Sequence, residues 1–320
     1  MPADPPGHGL TGARVHLDTD LGSDTDDLCA LAMLCGWPET TVTGVTTSTD
    51  PGGRRAGMAA YALALAHRAD VPVVAGAEGT LAEPMVPFDL PDYWPEPVPP
   101  RPSPPGAALD LLAASAEAGA VIVAVGPWTN LALLEAARPG LLGRATPVLM
   151  GGHVPAARPG FPPLGPDDDF NVQQDHLAAR IVLEACDPVV VPLAATAQVH
   201  LRAAHLPRLR AAGPLGALLA GQAEAHARDQ GVTELGRSWP GLPDDLLNFQ
   251  HDPLACAVAL GWERVTVEVI PTRLEAAGGR LRLAAHPGGR PLRVVTAVDG
   301  PAFEEVWLAA VERAAAVTRP

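Results

Sequence analysis

The chain has 320 residues, a hydrophobic content of 48% and a formal net charge of −14. This length and composition suit a globular α/β enzyme with a substantial buried core and exclude a disordered protein. The acidic balance argues against nucleic acid as a partner, because phosphate binding requires clustered Lys and Arg side chains.

The start of the chain does not have the pattern of a targeting segment. Residues 1–12 are rich in Pro and Gly and lack a basic start followed by an apolar run, which predicts a flexible N-terminal segment and not a signal peptide. No apolar run reaches membrane-spanning length, so we expect a cytoplasmic protein without a membrane partner. The cysteines form no CxxC pair and are predicted to be buried free thiols, at Cys29, Cys35, Cys186 and Cys256.

Strands and helices alternate along the chain. Strands are predicted at residues 14–17, 41–47, 71–75, 120–125, 147–150 and 188–193. Helices are predicted at residues 27–34, 54–69, 107–118, 130–137, 175–186 and, as one or two pieces, 203–228. This βαβ alternation is typical of a mostly parallel sheet with helices on both faces. Without an internal repeat or a linker, it predicts a single Rossmann-like α/β domain over residues 13–320.

Two proline-rich segments interrupt this alternation. Residues 83–105 and 155–169 are longer than ordinary connections, so each is either a loop over a site or a surface excursion. The aromatic residues of these loops and of the loop at 231–245 could stack on a ligand or pack within their own loops: Trp94, Phe161 and Trp239.

A cluster of carboxylates lies between the first predicted strand and helix, at Asp18, Asp20, Asp24, Asp26 and Asp27. Ligands of open α/β sheets bind outside the carboxyl ends of the strands, where this cluster falls. So many like charges repel one another unless some are protonated or a cation holds them. Carboxylates without nearby His or Cys favour Ca²⁺ or Mg²⁺ over zinc. Capping of the helix would require only one acid.

Three known loops are comparable with this cluster. An EF-hand fails, because counting from Asp18 places Gly22 at position 5 and Cys29 at position 12, where Asp and Glu are required. The D-x-D-x-[TV] run of haloacid dehalogenase phosphatases fits only until Gly22. The run resembles best the nucleoside hydrolase signature D-x-D-x-G-x-D-D, with two extra residues before the final acid pair.

Further segments resemble the same family in the same order along the chain. They are G-V-T-T at 44–47, G-P-W-T-N-L-A at 126–132, L-M-G-G at 149–152, D-F-N at 169–171, H-D-P-L-A at 251–255 and a closing strand and helix at 295–307. The resemblance implies an α/β domain with a mostly parallel sheet. It also implies calcium-dependent hydrolysis of the N-glycosidic bond of ribonucleosides, and a homodimer or homotetramer.

The resemblance implies a calcium site. Asp20, Asp27 and Asp252 match the metal-binding carboxylates of the family, and the main-chain oxygen of Thr129 would complete the protein ligands. All are oxygen donors, as calcium requires. Asp20 would also take a proton from the attacking water.

The resemblance also implies a substrate site beside the metal. Asp26 and Asn171 match positions that hold ribose hydroxyls, and Asp169 matches a position near the 5′-hydroxyl. His251 matches a histidine proposed to assist the departing base. The extra residues leave the role of Asp24 open.

The chain departs from the family at several places. Residues 48–51 replace the usual V-x-G-N, although Asp50 could still face the leaving group. Residues 160–166 contain no Asn, and Ala194 stands where the family has an acid. These changes affect the ribose and base pockets more than the metal site.

Two other functions are compatible with parts of the pattern. A metal-dependent phosphatase would use Asp18 as nucleophile and Asp20 as acid, with Mg²⁺ and a basic residue at the phosphate; the chain contains no lysine for that purpose. A nucleoside- or ribose-binding protein would keep the metal pocket and lack turnover. Release of free ribose from nucleosides distinguishes the hydrolase from both.

Overall fold

The computed structural model describes residues 12–82, 90–91, 93–154, 158–277 and 280–316, so that the predicted flexible segment lies outside the described residues except for Gly12. The strands are Arg14–Thr19 (β1), Thr41–Thr47 (β2), Val73–Ala75 (β3), Val121–Ala124 (β4), Val148–Met150 (β5), Val189–Val191 (β6), His200–Arg202 (β7), Leu246–Phe249 (β8), Val265–Ala277 (β9), Arg280–Ala285 (β10) and Arg290–Val298 (β11). The helices are Asp26–Gly36 (α1), Arg54–Leu65 (α2), Ala107–Glu117 (α3), Thr129–Ala137 (α4), Leu141–Arg144 (α5), Phe170–Gln174 (α6), His176–Ala185 (α7), Leu193–Thr196 (α8), Leu206–Ala211 (α9), Gly213–Gln230 (α10), Val232–Ser238 (α11), His251–Ala259 (α12) and Gly300–Ala316 (α13).

A nine-stranded sheet forms the centre of the molecule, in the order β10-β9-β11-β6-β5-β4-β1-β2-β3. Strands β1 to β6 and β11 pair in parallel, whereas β9 pairs antiparallel with both β11 and β10. The predicted α/β class with a mostly parallel sheet is therefore confirmed. The chain runs outward from β1 to β3 and then returns to β4 on the other side of β1. The loops after β1 and β4 diverge there and open the crevice in which such sheets bind ligands.

The predicted strands and helices are present, although one helix ends early and several elements of the described chain were not predicted, among them β7, β8, α5, α6, α8 and α11. Helix α2 ends at Leu65 and not at residue 69, because His67 adopts a φ of 55°, in the left-handed region that ends helices. Strands β9 and β10 were not predicted. Of their apolar residues, Val267 and Val269 of β9 are 44% and 64% exposed, whereas Leu281 and Leu283 of β10 are buried.

Helix α1 is buried along its whole length. A side chain at Gly36 would meet the carbonyl oxygen of Ala310 at 1.9 Å, so α1 and α13 touch backbone to backbone. The indole Nε1 of Trp307 donates to the carbonyl oxygen of Cys29 at 3.2 Å. This packing fixes the start of α1 at the carboxyl edge of the sheet.

The four cysteines are free and buried, as predicted. No helix in the described part of the chain is both long and apolar enough to cross a membrane.

A half-buried carboxylate connects α13 to the β7 region. Glu304 lies 3.6 Å from Nδ1 of His200 and 3.4 Å from Nε2 of His205, with 14% of its side chain exposed. Burial alone would raise the pKa of the Glu304 carboxyl, but the bonds to the two histidines outweigh it and lower the pKa to about 2. A lowered carboxyl pKa stabilises the fold above the ordinary value of the unfolded chain, and that stability is lost as the pH falls toward 2.

We predict that Glu304→Gln lowers the free energy of unfolding near neutral pH by at most about 3 kcal/mol, and that its difference from the wild type shrinks between pH 5 and 2. Urea unfolding at a series of pH values measures this. The control is Glu305→Gln, because that neighbouring side chain is 70% exposed and its ion pair contributes little. A pH-independent difference would contradict the prediction.

Candidate active site

A cavity of about 550 Å³ opens at the carboxyl edge of the sheet, above β1 and β4. Its walls come from the loop after β1, the ends of β4 and β5, the starts of α6 and α12, and helix α10. The predicted site residues that line this cavity are Asp20, Asp26, Asp27, Asp169, Asn171, His251 and Asp252. Such a volume holds a small organic ligand.

Three carboxylates meet on the floor of the cavity. Asp26 and Asp27 open α1, and Asp252 is the second residue of α12. One oxygen from each lies within 4.8 Å of the others, and each residue is at most 4% exposed. Burial and then repulsion from neighbouring aspartates, which include Asp20 and Asp24, raise the pKa of all three well above the ordinary value of an aspartate. A cluster of oxygen donors that repel one another fits a hard divalent cation such as Ca²⁺ or Mg²⁺.

Asp20 was expected to be one of the metal-binding carboxylates, together with Asp27 and Asp252. It lines the cavity, but the third carboxylate that meets Asp27 and Asp252 is that of Asp26. Burial raises the pKa of the Asp20 carboxyl, Arg55 lowers it and Asp24 raises it again, with a net upward shift. Thr129 was expected to offer its main-chain oxygen. It lies outside the cavity lining, and its hydroxyl donates to Asp175 at 2.7 Å.

His251 stands at the start of α12, next to Asp252. Its Nδ1 lies 2.7 Å from the Thr196 hydroxyl, which itself donates to the carbonyl oxygen of Leu193 at 3.3 Å. The hydroxyl therefore accepts from Nδ1–H, and this leaves Nε2 as an acceptor. Burial lowers the pKa of His251 to about 4 against an upward effect of Asp24, so the imidazole is neutral near pH 7.

The segment before and at the start of α6 forms another wall of the cavity. Asp169 is the N-cap residue of α6, where its carboxylate accepts from the main-chain N–H groups of Gly152 and Val172. Burial raises the pKa of Asp169 to about 7. The amide nitrogen of Asn171 donates to the carbonyl oxygens of Val125 and Met150, which ties this wall to β4 and β5.

The structure places Asp50 away from the cavity. Its two carboxylate oxygens accept from the main-chain N–H groups of Arg55 and Ala56, at 2.8 and 2.9 Å, and from the Thr47 hydroxyl at 2.7 Å. These bonds fix the first turn of α2. Asp50 was expected to face the leaving group, but it does not line the cavity and both of its carboxylate oxygens already accept hydrogen bonds.

Arg55 is a site component that the sequence did not reveal. It is 2% exposed, and its guanidinium donates to the carbonyl oxygens of Thr49 at 3.0 Å, Leu21 at 3.2 Å and Asp20. It thereby joins the loops after β1 and β2 and places a positive charge near Asp20. In the sequence, Arg54 and Arg55 at the start of α2 resemble the exposed charges of a solvated helix end. Only the burial of Arg55 in the structure identifies it as part of the site.

Asp18 lies behind the cavity wall and does not line the cavity. Its Oδ1 accepts from the Thr46 hydroxyl and from the Asn130 amide, and burial raises its pKa to about 7. A nucleophile must reach its substrate, which this residue cannot do. The phosphatase alternative is therefore not supported.

The loop that contains residues 90–105 reaches the mouth of the cavity through Pro91 and Tyr93. Across the mouth, α10 contributes His226 and Gln230. The sequence indicated that the proline-rich loop could lie over a site, but it did not single out Pro91 or Tyr93. It did not single out His226 or Gln230 either, because α10 shows only a helical signal in the sequence. The aromatic residues considered earlier pack against the hydrophobic core instead: Trp94, Phe161 and Trp239.

A Rossmann-like sheet with a carboxylate cluster at its switch point and a matching family model defines the chain as an enzyme of the N-ribosyl hydrolase class. The chain belongs to the inosine-uridine preferring nucleoside hydrolase family, whose model matches residues 15–305.

Relatives and solved structures agree with this membership. A pyrimidine-specific ribonucleoside hydrolase, RihA of Salmonella typhimurium, is 31% identical over 218 residues, which cover 64% of this chain and 68% of the relative. The fold matches a purine-preferring ribonucleoside hydrolase from Gardnerella vaginalis with a TM-score of 0.76 and 22% identity, over 95% of this chain and 100% of the other. It matches a plant nucleoside hydrolase with a TM-score of 0.75 and 21% identity, over 94% and 99% of the two chains.

Gly126, directly after β4, allows Asp20 to sit against the backbone. A Cβ atom there would come within 2.8 Å of the main-chain nitrogen and Oδ1 of Asp20 and of the Ser48 hydroxyl. We predict that Gly126→Ala displaces Asp20 and lowers kcat/KM for nucleoside hydrolysis by about 10²-fold, the effect of a misplacement near 1 Å.

The control is Gly221→Ala in α10, where a Cβ would meet nothing within 4 Å. That change should keep activity and stabilise the fold by up to about 1 kcal/mol. Steady-state kinetics and thermal unfolding measure both variants. Full activity of Gly126→Ala would show that the contact with Asp20 is not needed.

Proposed function

We propose that this chain is a calcium-dependent hydrolase of ribonucleosides, which releases ribose and a free base. The observation that carries the proposal is the trio Asp26, Asp27 and Asp252, buried on the floor of a cavity of about 550 Å³ with Asp20 beside it. The named relatives differ in base preference, one being pyrimidine-specific and another purine-preferring. We therefore assign the ribonucleoside class and no particular base.

Calcium suits this donor set better than zinc, because every ligand atom is a carboxylate oxygen. Asp26, Asp27 and Asp252 would hold the ion, with Asp20 at its edge. When bound, the ion supplies positive charge that makes a neighbouring water more acidic. We also propose that the main-chain oxygen of Thr129 is a ligand of the ion.

The side chains of the cavity divide the remaining work. Asp20 takes a proton from the attacking water as general base. Asp26 and Asn171 face the ribose hydroxyls, and Asp169 lies where the 5′-hydroxyl would reach. The bond from C1′ to the base nitrogen stretches first, and the carboxylates on the floor stabilise the positive charge that develops on the sugar. His251 is assigned to the leaving base, which it can assist only when Nε2 carries a proton.

We predict that the wild type releases reducing sugar from at least one of inosine, uridine, adenosine and cytidine in the presence of Ca²⁺, and that 2′-deoxyribonucleosides react far more slowly. Asp20→Asn should keep the fold and lose roughly 10²–10⁴-fold in kcat, because an amide cannot take a proton from water. Nucleoside binding by calorimetry without sugar release would instead identify a binding protein. Near-normal activity of Asp20→Asn would place the general base elsewhere.

We also predict that the wild type binds Ca²⁺ and that Asp252→Asn abolishes this binding in calorimetric titrations. The substitution removes one of three carboxylates that meet within 4.8 Å. Asp244→Asn is the matched control, because Asp244 is an exposed loop residue and its loss should leave the affinity unchanged. Equal affinities in all three proteins would exclude the proposed site.

A further inference from the structure

The loop after β1 contains an acid that does not join the metal cluster. Oδ1 of Asp24 accepts from the main-chain N–H of Thr25 and from the side-chain amide of Asn248 in β8, both at 2.5 Å. Asp24 also lines the cavity, with 39% of its side chain exposed. The extra residues of this loop therefore hold a carboxylate against Asn248 of β8, close enough to the cluster to raise the pKa of Asp26, Asp27 and Asp252.

Helix α10 presents an imidazole to this carboxylate. Nε2 of His226 lies 3.7 Å from Oδ1 of Asp24, and only 12% of the His226 side chain is exposed. On its other side the ring of Tyr93 stands edge-on, with ring centroids 6.4 Å apart and planes at 85°. A carboxylate that faces one ring nitrogen orients an imidazole and favours its protonated form, which is the form that can donate a proton.

The position of His226 corresponds to the leaving-group end of the cavity. Asp20 and the metal cluster, at most 5% exposed, form the deep part of the cavity, where the ribose hydroxyls and the water would lie, whereas Gln230 is exposed and His226 and Tyr93 are only partly buried. A nucleobase attached to that ribose extends from the floor toward the mouth. His251, the other imidazole of the lining, faces the Thr196 hydroxyl and not a carboxylate.

Resting on the proposed function, we propose that His226, oriented by Asp24, is the catalytic residue that donates the proton to the departing base. The C1′–N bond breaks with its electron pair remaining on the base nitrogen, and the imidazolium N–H of His226 protonates the base. The water oxygen bonds to C1′, and its proton passes to Asp20. Solvent then returns a proton to His226 and removes one from Asp20, so that one water is consumed for each riboside.

Leaving-group dependence tests this assignment. A nucleobase leaves poorly without a proton, whereas p-nitrophenolate leaves as a stable anion. His226→Gln should lower kcat/KM for the best nucleoside by about 10²-fold or more and change that for p-nitrophenyl riboside by less than about 3-fold. Asp24→Asn should show the same selectivity with a smaller loss. Arg228→Gln, an exposed change on the same helix, should leave both rates unchanged.

Each alternative outcome has a distinct meaning. Equal losses on both substrates, or Ca²⁺ binding lost in His226→Gln, would assign His226 a structural role and overturn the proposal. An unchanged nucleoside rate would overturn it as well, and a selective loss in His251→Gln alone would assign the proton to His251. If the wild type cleaves p-nitrophenyl riboside but no nucleoside, the proposed proton donation by His226 is contradicted, and riboside hydrolysis itself is not. A wild type that cleaves neither substrate contradicts the proposed function itself.

Discussion

Repulsion among buried carboxylates is the constraint around which this molecule is arranged. Asp26, Asp27 and Asp252 approach within 4.8 Å in a nearly dry site, so the fold must hold together groups that separate when charged. It does so with rigid elements, since α1 is buried throughout and α12 starts beside it. The N-terminus of a helix also favours negative charge, and both Asp26 and Asp27 lie in the first turn of α1. The Thr19 hydroxyl donates to Asp27 from the end of β1.

Much of this arrangement could be predicted from the sequence, because the loop after β1 concentrates its acids at the edge where parallel strands end. The βαβ alternation likewise predicted β1 to β6. The buried thiols were predicted separately, because the cysteines form no CxxC pair. The antiparallel pair β9 and β10 was not predicted, although Leu281 and Leu283 of β10 alternate with exposed residues as in a half-buried strand. β9 pairs antiparallel with both β10 and β11, so the places of β9 and β10 in the sheet depend on pairing among these three strands and not on the βαβ alternation.

Most of the predicted site residues line one cavity, whereas residues whose surroundings depend only on tertiary contacts were not singled out from the sequence. Asp50 looked suitable for a leaving group, but its oxygens are consumed by the first turn of α2. Arg55 and His226 stand in ordinary helical sequence. Their importance comes from neighbours that are distant in the chain, Asp20 for Arg55 and Asp24 for His226. Spacing within one segment cannot report such pairs.

The contact between α1 and α13 has a consequence for the order of folding. The bond from Trp307 to the carbonyl oxygen of Cys29 joins residues separated by 278 positions, and Gly36 lies directly on the backbone of α13. Bringing together two residues so far apart in the chain costs conformational entropy before the contact between α1 and α13 can offset it. Such long-range contacts therefore form slowly. Because α1 carries Asp26 and Asp27, the acidic centre is assembled late during synthesis on the ribosome. Until α13 docks, the nascent chain exposes the apolar surface of α1, and an ion held by Asp26, Asp27 and Asp252 would favour the completed fold.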